Sequence, residues 1–200
     1  MENTANQMTL IGTLRSMPEY SHTNHDRRFF RLMLAAPRLS GAVDVLPVLA
    51  AEDVLSSVEL RPGMRLLAEG QIRSFNNRQP EGRRLILCVY AARLEPTQEE
   101  PVNRAELTGT LCKEPVFRRT PLGREIADLM LAVPRLYRRM DYIPCIVWGR
   151  TAELCAPLPA GTALSLTGRM QSREYIKILD GQSVTRTAYE LSVSACALQE

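Results

Sequence analysis

Lysine is almost missing from this sequence: of 25 basic residues only Lys113 and Lys177 are lysines, and the rest are arginines. There are two histidines, one tryptophan and no C-x-x-C pair. Each scarcity excludes something. His22 and His25 lie in one stretch with no cysteine or carboxylate cluster beside them, which gives no basis for a metal site or an acid/base pair. No glycine-rich Walker loop occurs, which removes ATP-driven chemistry. The five cysteines, Cys88, Cys112, Cys145, Cys155 and Cys196, are an odd set, read as reduced and mostly buried thiols rather than a disulfide framework or zinc knuckle. No run approaches the roughly 18 apolar residues of a membrane span. The first residues, MENTANQ, lack the charged and apolar blocks of a secretory signal. A cytoplasmic protein that is no enzyme and needs no cofactor, metal or membrane is the expectation.

What is present is ordinary globular material, 45% hydrophobic and 24% charged. Two hundred residues fit one large domain or two small ones. A net charge of +3 is too small for nucleic-acid binding by bulk electrostatics. Arginine nevertheless offers a planar fork that grips phosphate and stacks on bases, where lysine is a hydrated point charge. Codon usage in a GC-rich genome explains the arginine excess equally well.

The chain repeats itself. At an offset of 97, Asn6 falls on Asn103, Leu10, Gly12, Thr13 and Leu14 on Leu107, Gly109, Thr110 and Leu111, and Pro18 on Pro115. Further along, residues 32–39 (LMLAAPRL) overlie 129–136 (LMLAVPRL), and Asp44 and Pro47 overlie Asp141 and Pro144. Positions 6–47 hold 17 identities in 42 without a gap, where chance gives roughly two or three. One further residue of slip sets Gly63 and Gly70 on Gly161 and Gly168. A period this long means two domains rather than a solenoid. The expected division is a first domain over 1–96, a proline-bounded linker over 97–102 and a second domain over 103–200.

In the second copy, apolar runs separated by turn signals predict strands over 105–112, 126–133, 142–148, 163–171 and 188–197. A helix is predicted over 151–156, with Thr151 as its N-cap, and residues 51–58 hold the same place in the first copy. Five strands with a helix between the third and fourth is the connectivity of the OB-fold. The fold class expected is therefore all-β, two tandem five-stranded OB barrels. Gly109, Gly149 and Gly168 fall where bulges bend such a barrel.

Here the residues carry a resemblance. Asn103, Leu107, Gly109, Leu111 and Pro115, the string 131–134 (LAVP), the string 141–153 (DYIPCIVWGRTAE), the string 168–175 (GRMQSREY) and the string 189–193 (YELSV) resemble the bacterial single-stranded DNA-binding protein family, in its tandem two-OB form. The resemblance covers nearly all of residues 103–198. It implies sequence-independent binding and protection of single-stranded DNA in replication, recombination or repair, by a protein close to the nucleoid. It also names positions. Aromatics for base stacking correspond to Tyr137, Tyr142, Trp148 and Tyr175, whereas Tyr189, alternating with Leu191 and Val193, reads as structural. Phosphate contacts are expected from Arg150, Arg169, Arg173 and Lys177, from Arg118 and Arg119 in the first hairpin, and from Arg138 and Arg139 in the basic stretch after the second strand.

The first copy departs from that pattern. Ser40, Val45 and Ala51 stand where Tyr137, Tyr142 and Trp148 do, and Phe75 alone keeps an aromatic near the place of Tyr175. Phe29 and Phe30 read as one core and one surface residue. This copy is expected to be structural or interfacial, touching DNA weakly through Arg73, Arg78, Arg83 and Arg84. With the sequence stopping at ALQE, recruitment of enzymes through an acidic C-terminal tail, as the resemblance would imply, is not expected. The resemblance, to a family whose members commonly set four OB-folds around one strand, implies a homodimer, with a monomer of two packed copies as the alternative. A protein-interaction module of a primosome-type complex, binding nucleic acid weakly, is the competing function.

Overall fold

The computed structural model describes residues 5–76, 85–179 and 182–199. The first half runs β1 (Asn6–Leu14), β2 (Glu19–Asn24), β3 (Arg27–Pro37), β4 (Val43–Ala51), α1 (Glu52–Leu55), β5 (Arg65–Asn76) and β6 (Leu85–Pro96). The second runs β7 (Val102–Leu111), β8 (Val116–Arg119), β9 (Glu125–Pro134), β10 (Met140–Trp148), α2 (Gly149–Cys155), β11 (Ala163–Leu179) and β12 (Gln182–Leu198). All five strands expected in the second copy form, each longer at one end or both. A sixth, β8, pairs only with β9. The helix differs from expectation at its start: α2 begins at Gly149 with Trp148 as N-cap, two residues before Thr151. Gly149 has φ +55°, a left-handed conformation that turns the chain out of β10 before any side-chain cap is needed.

The fold is all-β and OB-like, its strands joined in one sheet ordered β2-β3-β4-β6-β5-β1-β7-β11-β12-β10-β9-β8. This order reads the same from either end once equivalent strands are exchanged. In each half the first strand also pairs with the third, Thr13 with Ala35 and Thr110 with Ala132, so the sheet curls back on itself. Among the described residues only β4–β6 and β10–β12 are parallel. Curling needs a bend in the long strands, and bulges supply it at Glu69/Gly70 and Thr167/Gly168. A Cβ on Gly70 would lie 2.0 Å from the Tyr90 carbonyl oxygen and one on Gly168 2.3 Å from that of Ser192, so neither tolerates a side chain.

The halves join through an antiparallel ladder between β1 and β7, pairing Asn6 with Leu107, Met8 with Ala105 and Leu10 with Asn103. Because equivalent residues differ by 97, Met8 faces its own counterpart, and the ladder is self-complementary about that point, as in a two-fold dimer. Alternation in β1 buries Met8, Leu10 and Leu14 while Gln7 faces out. These residues enter a single hydrophobic cluster with Leu34, Leu46 and Leu66 from one half and Leu107, Leu131 and Leu166 from the other. Each such buried leucine contributes about 2 kcal/mol by area.

Polar residues repeated between the copies hold specific joints. Asn6, 1% exposed, donates from Nδ2 to the Ile72 carbonyl (2.7 Å) and accepts from the Ile72 N–H (2.9 Å); Asn103 does the same with Met170. The two aspartates instead cross the seam. Asp44 of the first half accepts from the Ser172 N–H (2.7 Å) and hydroxyl (3.1 Å) of the second. Asp141 of the second half accepts from the Ser74 N–H (2.7 Å) and hydroxyl (3.4 Å) of the first. Their cations are Arg38 and Arg169 for Asp44, and Arg73 and, at 3.5 Å, Arg135 for Asp141. With the aspartates 1% and 0% exposed, these are buried ion clusters shared between halves.

Burial alone would push the Asp44 carboxyl up, but hydrogen bonds from Arg38 and Ser172 outweigh it and hold the group below the usual carboxylate value. Folding therefore releases its proton, so the stability it contributes is complete above the unfolded value of about 4 and is lost as pH falls through the lower folded one. Melting temperature should drop between about pH 5 and pH 3, and Asp44→Asn should flatten that slope. An unchanged acid slope in the variant would refute the assignment.

Candidate nucleic-acid interface

The parallel pairing of β10 with β12 sets Ile146 opposite Ser192 and brings the end of β10 beside the last strand. Trp148, at that end, is 36% exposed, and its indole N–H donates to the Ser192 hydroxyl at 3.1 Å. One edge of the ring is therefore anchored while part of its surface remains open.

The open surface faces a groove of about 940 Å³. From the second half it is lined by Asn103, Arg124, Trp148, Ser192 and the β11 residues Arg169, Gln171, Ser172 and Arg173; from the first, by residues 37–40 at the end of β3; and Glu100 and Pro101 border it from the segment between the halves. Its floor is a chain of polar contacts. Arg38 grips Asp44 with two nitrogens (2.7 and 2.5 Å) and donates to the Ser172 carbonyl (3.0 Å). Arg169 reaches Asp44 at 3.1 Å and donates to the Gln171 side-chain oxygen at 3.0 Å. Gln171 donates onward to Glu190 at 2.8 Å, and Arg173 lies 3.8 Å from the same carboxylate. Burial and, after it, the neighbouring Arg38 pull the Arg169 guanidinium below its ordinary value against the opposing effect of Asp44. An arginine-rich groove with a fixed indole in its wall can bind an anion and stack a flat ring at the same time.

Of the residues expected from sequence, the groove gathers Trp148, Arg169 and Arg173. Tyr142, 48% exposed on β10, lies at the other seam, where its backbone N–H donates to the Ser74 hydroxyl (2.8 Å) next to Phe75, itself 37% exposed. Tyr175 is half-buried on the β11–β12 hairpin opposite Arg186, and Lys177 is half-buried on the same hairpin. Tyr137 is 91% exposed in a turn over Leu136–Arg138 where both it and Arg138 adopt positive φ, with exposed Arg139 following. Arg150 is exposed on α2 beside Glu153. Arg118 and Arg119 stand apart: on edge strand β8 they pair with Asp128 (2.6 Å) and Glu125 (2.5 Å) and do not line the groove. Tyr189 packs against the core.

In the first half Ala51, at the Trp148 position, is buried at 2%. The strand registers show what replaces the ring. Tyr90 sits opposite Leu49 as Ser192 sits opposite Ile146, so Trp148 with Ser192 in one half becomes Ala51 with Tyr90 in the other. The aromatic has moved one strand over, which a position-by-position reading of β4 does not reveal. Tyr90 borders its own groove, completed by Leu136 of the second half, but Arg73 lies 5.6 Å over its ring and Phe29 packs against it at 6.1 Å. Arg73, expected from sequence to touch DNA weakly, is held at the seam by Asp141 and Tyr90 and lines this same groove. Phe29 is buried and stacked on His22 at 5.0 Å, while Phe30 is partly exposed. Arg78, Arg83 and Arg84 lie outside the described residues.

Sequence reasoning missed Arg38, Leu39, Asp44 and Tyr90. The first three were visible only as repeat anchors; an arginine and an aspartate kept six apart in both copies was the available signal for a shared buried ion pair. Among the described residues no group of three or more His, Cys, Asp or Glu is placed to hold a metal, and no helix is long and apolar enough to cross a membrane.

Residues 102–198 match the single-strand binding protein family. Single-stranded DNA-binding protein 2 of Listeria innocua is 40% identical over 81 residues, which cover 37% of this chain and 51% of that protein. The counterpart from Oceanobacillus iheyensis is 33% identical over 105 residues, covering 49% and 62%. The chain thus spans about half the length of the curated relatives it matches. The crystal structure of the single-stranded DNA binding protein from Thermus aquaticus superimposes with a TM-score of 0.79 at 22% identity, over 98% of this chain and 93% of that one. At that identity the likeness speaks for the fold, and it extends across both halves.

Proposed function

We propose, from the match of residues 102–198 to the single-strand binding protein family, that this chain belongs to that family and binds and protects single-stranded DNA, without reading sequence, during replication, recombination or repair. The observation that carries the reading is the groove at Trp148, where a fixed indole faces Arg38, Arg124, Arg169 and Arg173. A base stacks on the exposed part of the indole, and the arginines take the phosphates on either side. Tyr142, Tyr175 and Tyr137 extend the stacking surface, with Arg138, Arg139, Arg150 and Lys177 along the strand's path. The action is non-covalent, with no bond made or broken.

The first half serves mainly as structure and interface. It supplies one wall of the Trp148 groove through residues 37–40, and its own groove is partly filled by Arg73 and Phe29 around Tyr90. Two chains in a homodimer would set four OB-folds around one strand, and light scattering should then report twice the 22.5 kDa of one chain.

Titration with oligo-dT tests the reading, because Trp148 is the sole tryptophan and reports on its own groove. Its fluorescence should be quenched on binding. Each phosphate neutralised on a single strand contributes a slope of about −0.7 to log affinity against log salt, so four arginines predict a slope near about −3. Unchanged emission together with no measurable binding would refute the proposal.

A further inference from the structure

Two sulfur atoms meet between α2 and β12. Cys155, the last residue of α2, places its thiol 3.7 Å from that of Cys196 on β12, close to contact distance for two sulfurs. Cys155 is buried and Cys196 is half-buried at the margin of the core. Packing does not demand the pair. The strand registers place Leu94 of β6 where Cys196 stands, and there α1 packs on the strand without a sulfur on either side. We propose that Cys155 and Cys196 form a reversible dithiol/disulfide pair that, when oxidised by a peroxide, staples α2 to β12.

The remaining thiols are poorly suited to this chemistry. Burial pushes Cys88 up to about 12 and raises Cys145 further, which keeps both protonated, and the Cys145 thiol donates to the Ile143 carbonyl rather than to a sulfur. Cys112 is exposed, with its thiol also raised by burial of its surroundings, and is available only to another molecule. Cys196 differs. The hydrogen bond donated by Cys155 holds its thiol below the ordinary value despite burial, which favours the thiolate at this sulfur. The thiolate attacks one peroxide oxygen, giving a sulfenic acid at Cys196 and releasing hydroxide. The Cys155 sulfur then attacks the sulfenic sulfur, expelling its oxygen as water once protons are shared out. Two thiols lose two electrons and two protons, and one peroxide becomes two waters. The link joins the two elements that build the site, since α2 starts directly after Trp148 and β12 carries Ser192, the indole's hydrogen-bond partner.

The test is thiol chemistry on the folded full-length protein and stands apart from DNA binding. Treatment with hydrogen peroxide should remove two hydrogens by intact mass, and peptide mapping should show Cys155 joined to Cys196. Dithiothreitol should reverse the change, and Cys196→Ser should abolish it. Closing a loop whose ends lie 41 residues apart should raise the melting temperature of the oxidised form by roughly 8–16 °C. Free thiols at both positions after treatment, a link formed only through Cys112, over-oxidation of Cys196 without a link, or an unchanged melting temperature in the linked protein would each overturn the proposal. Mapping of the wild-type protein decides the question even if a serine variant folds poorly.

Discussion

Replacing Trp148 with alanine should weaken binding to oligo-dT by about ten- to a hundredfold, the loss of roughly 1–3 kcal/mol that one base–aromatic contact supplies. The size of the effect follows from the groove's composition, because none of its other lining residues is aromatic and no neighbour can take over the stack. It also follows from preorganisation. Ser192 holds the indole edge at 3.1 Å, so little rotamer freedom remains to be lost when a base arrives. Trp148→Phe should keep most of the stacking surface but lose that anchor and fall between the two. The fold should survive, since the side chain is 36% exposed at a strand end and outside the main hydrophobic cluster. Fluorescence anisotropy of labelled oligo-dT, with melting curves as the control for folding, measures this directly. Affinity within twofold of wild type in Trp148→Ala would show that the groove is not where DNA is held. Ala51 is the same truncation already present in the first half.

Replacing Asp44 with alanine should cost about 3 kcal/mol of stability, seen as a fall in melting temperature of roughly 6–12 °C. A buried ion pair adds little over a well-packed apolar alternative, but removing one partner strands the others, and that asymmetry sets the size of the loss. Arg38 would lose both contacts to the carboxylate, Arg169 its contact at 3.1 Å, and the Ser172 N–H its acceptor. Asp44→Asn keeps an acceptor without the charge and should be milder. The damage should also reach the groove, because Arg38 and Arg169 both line it, so DNA affinity should fall without any change to Trp148. The Asp141 cluster is built separately, from Arg73, Arg135 and Ser74, and the two losses should therefore add within a few tenths of a kcal/mol. A melting temperature within about 2 °C of wild type in Asp44→Ala would show that the seam does not depend on this carboxylate.

Local signals made much of the fold readable in advance. Alternating apolar runs marked the second-copy strands because a strand with one buried face must alternate, and the repeat of residues 6–47 on 103–144 needs no structural information at all. Thr151 misled as an N-cap because the usual capping rule assumes that a side chain must start the helix, whereas here Gly149 turns the backbone at positive φ one residue after Trp148. The site was only half legible. Trp148, Arg169 and Arg173 fell within the segments matching the family strings, but Arg38 and Leu39 come from the other half, more than 100 residues away, and no local pattern announces a cross-seam partner. Tyr90 escaped for a related reason. A ring that moves from one strand to its neighbour fills similar space, yet it vanishes from an alignment that compares each strand with its own copy. Arg118 and Arg119 look basic in sequence but spend their charge on Asp128 and Glu125, partners that only the strand pairing identifies.

The ladder through Met8 and Ala105 fuses what would otherwise be two interchangeable partners. In a true two-fold dimer any change to a groove occurs twice, and the assembled surface looks the same from both ends. Here one groove could keep its indole while the other exchanged it for a tyrosine on a different strand, because the halves inherit changes independently while remaining locked in register. A polynucleotide has a 5′ end and a 3′ end, and a symmetric surface cannot tell them apart. A surface with Trp148 at one end and Tyr90 at the other has a front and a back, so a strand laid across it meets two physically different arrangements depending on which way it runs.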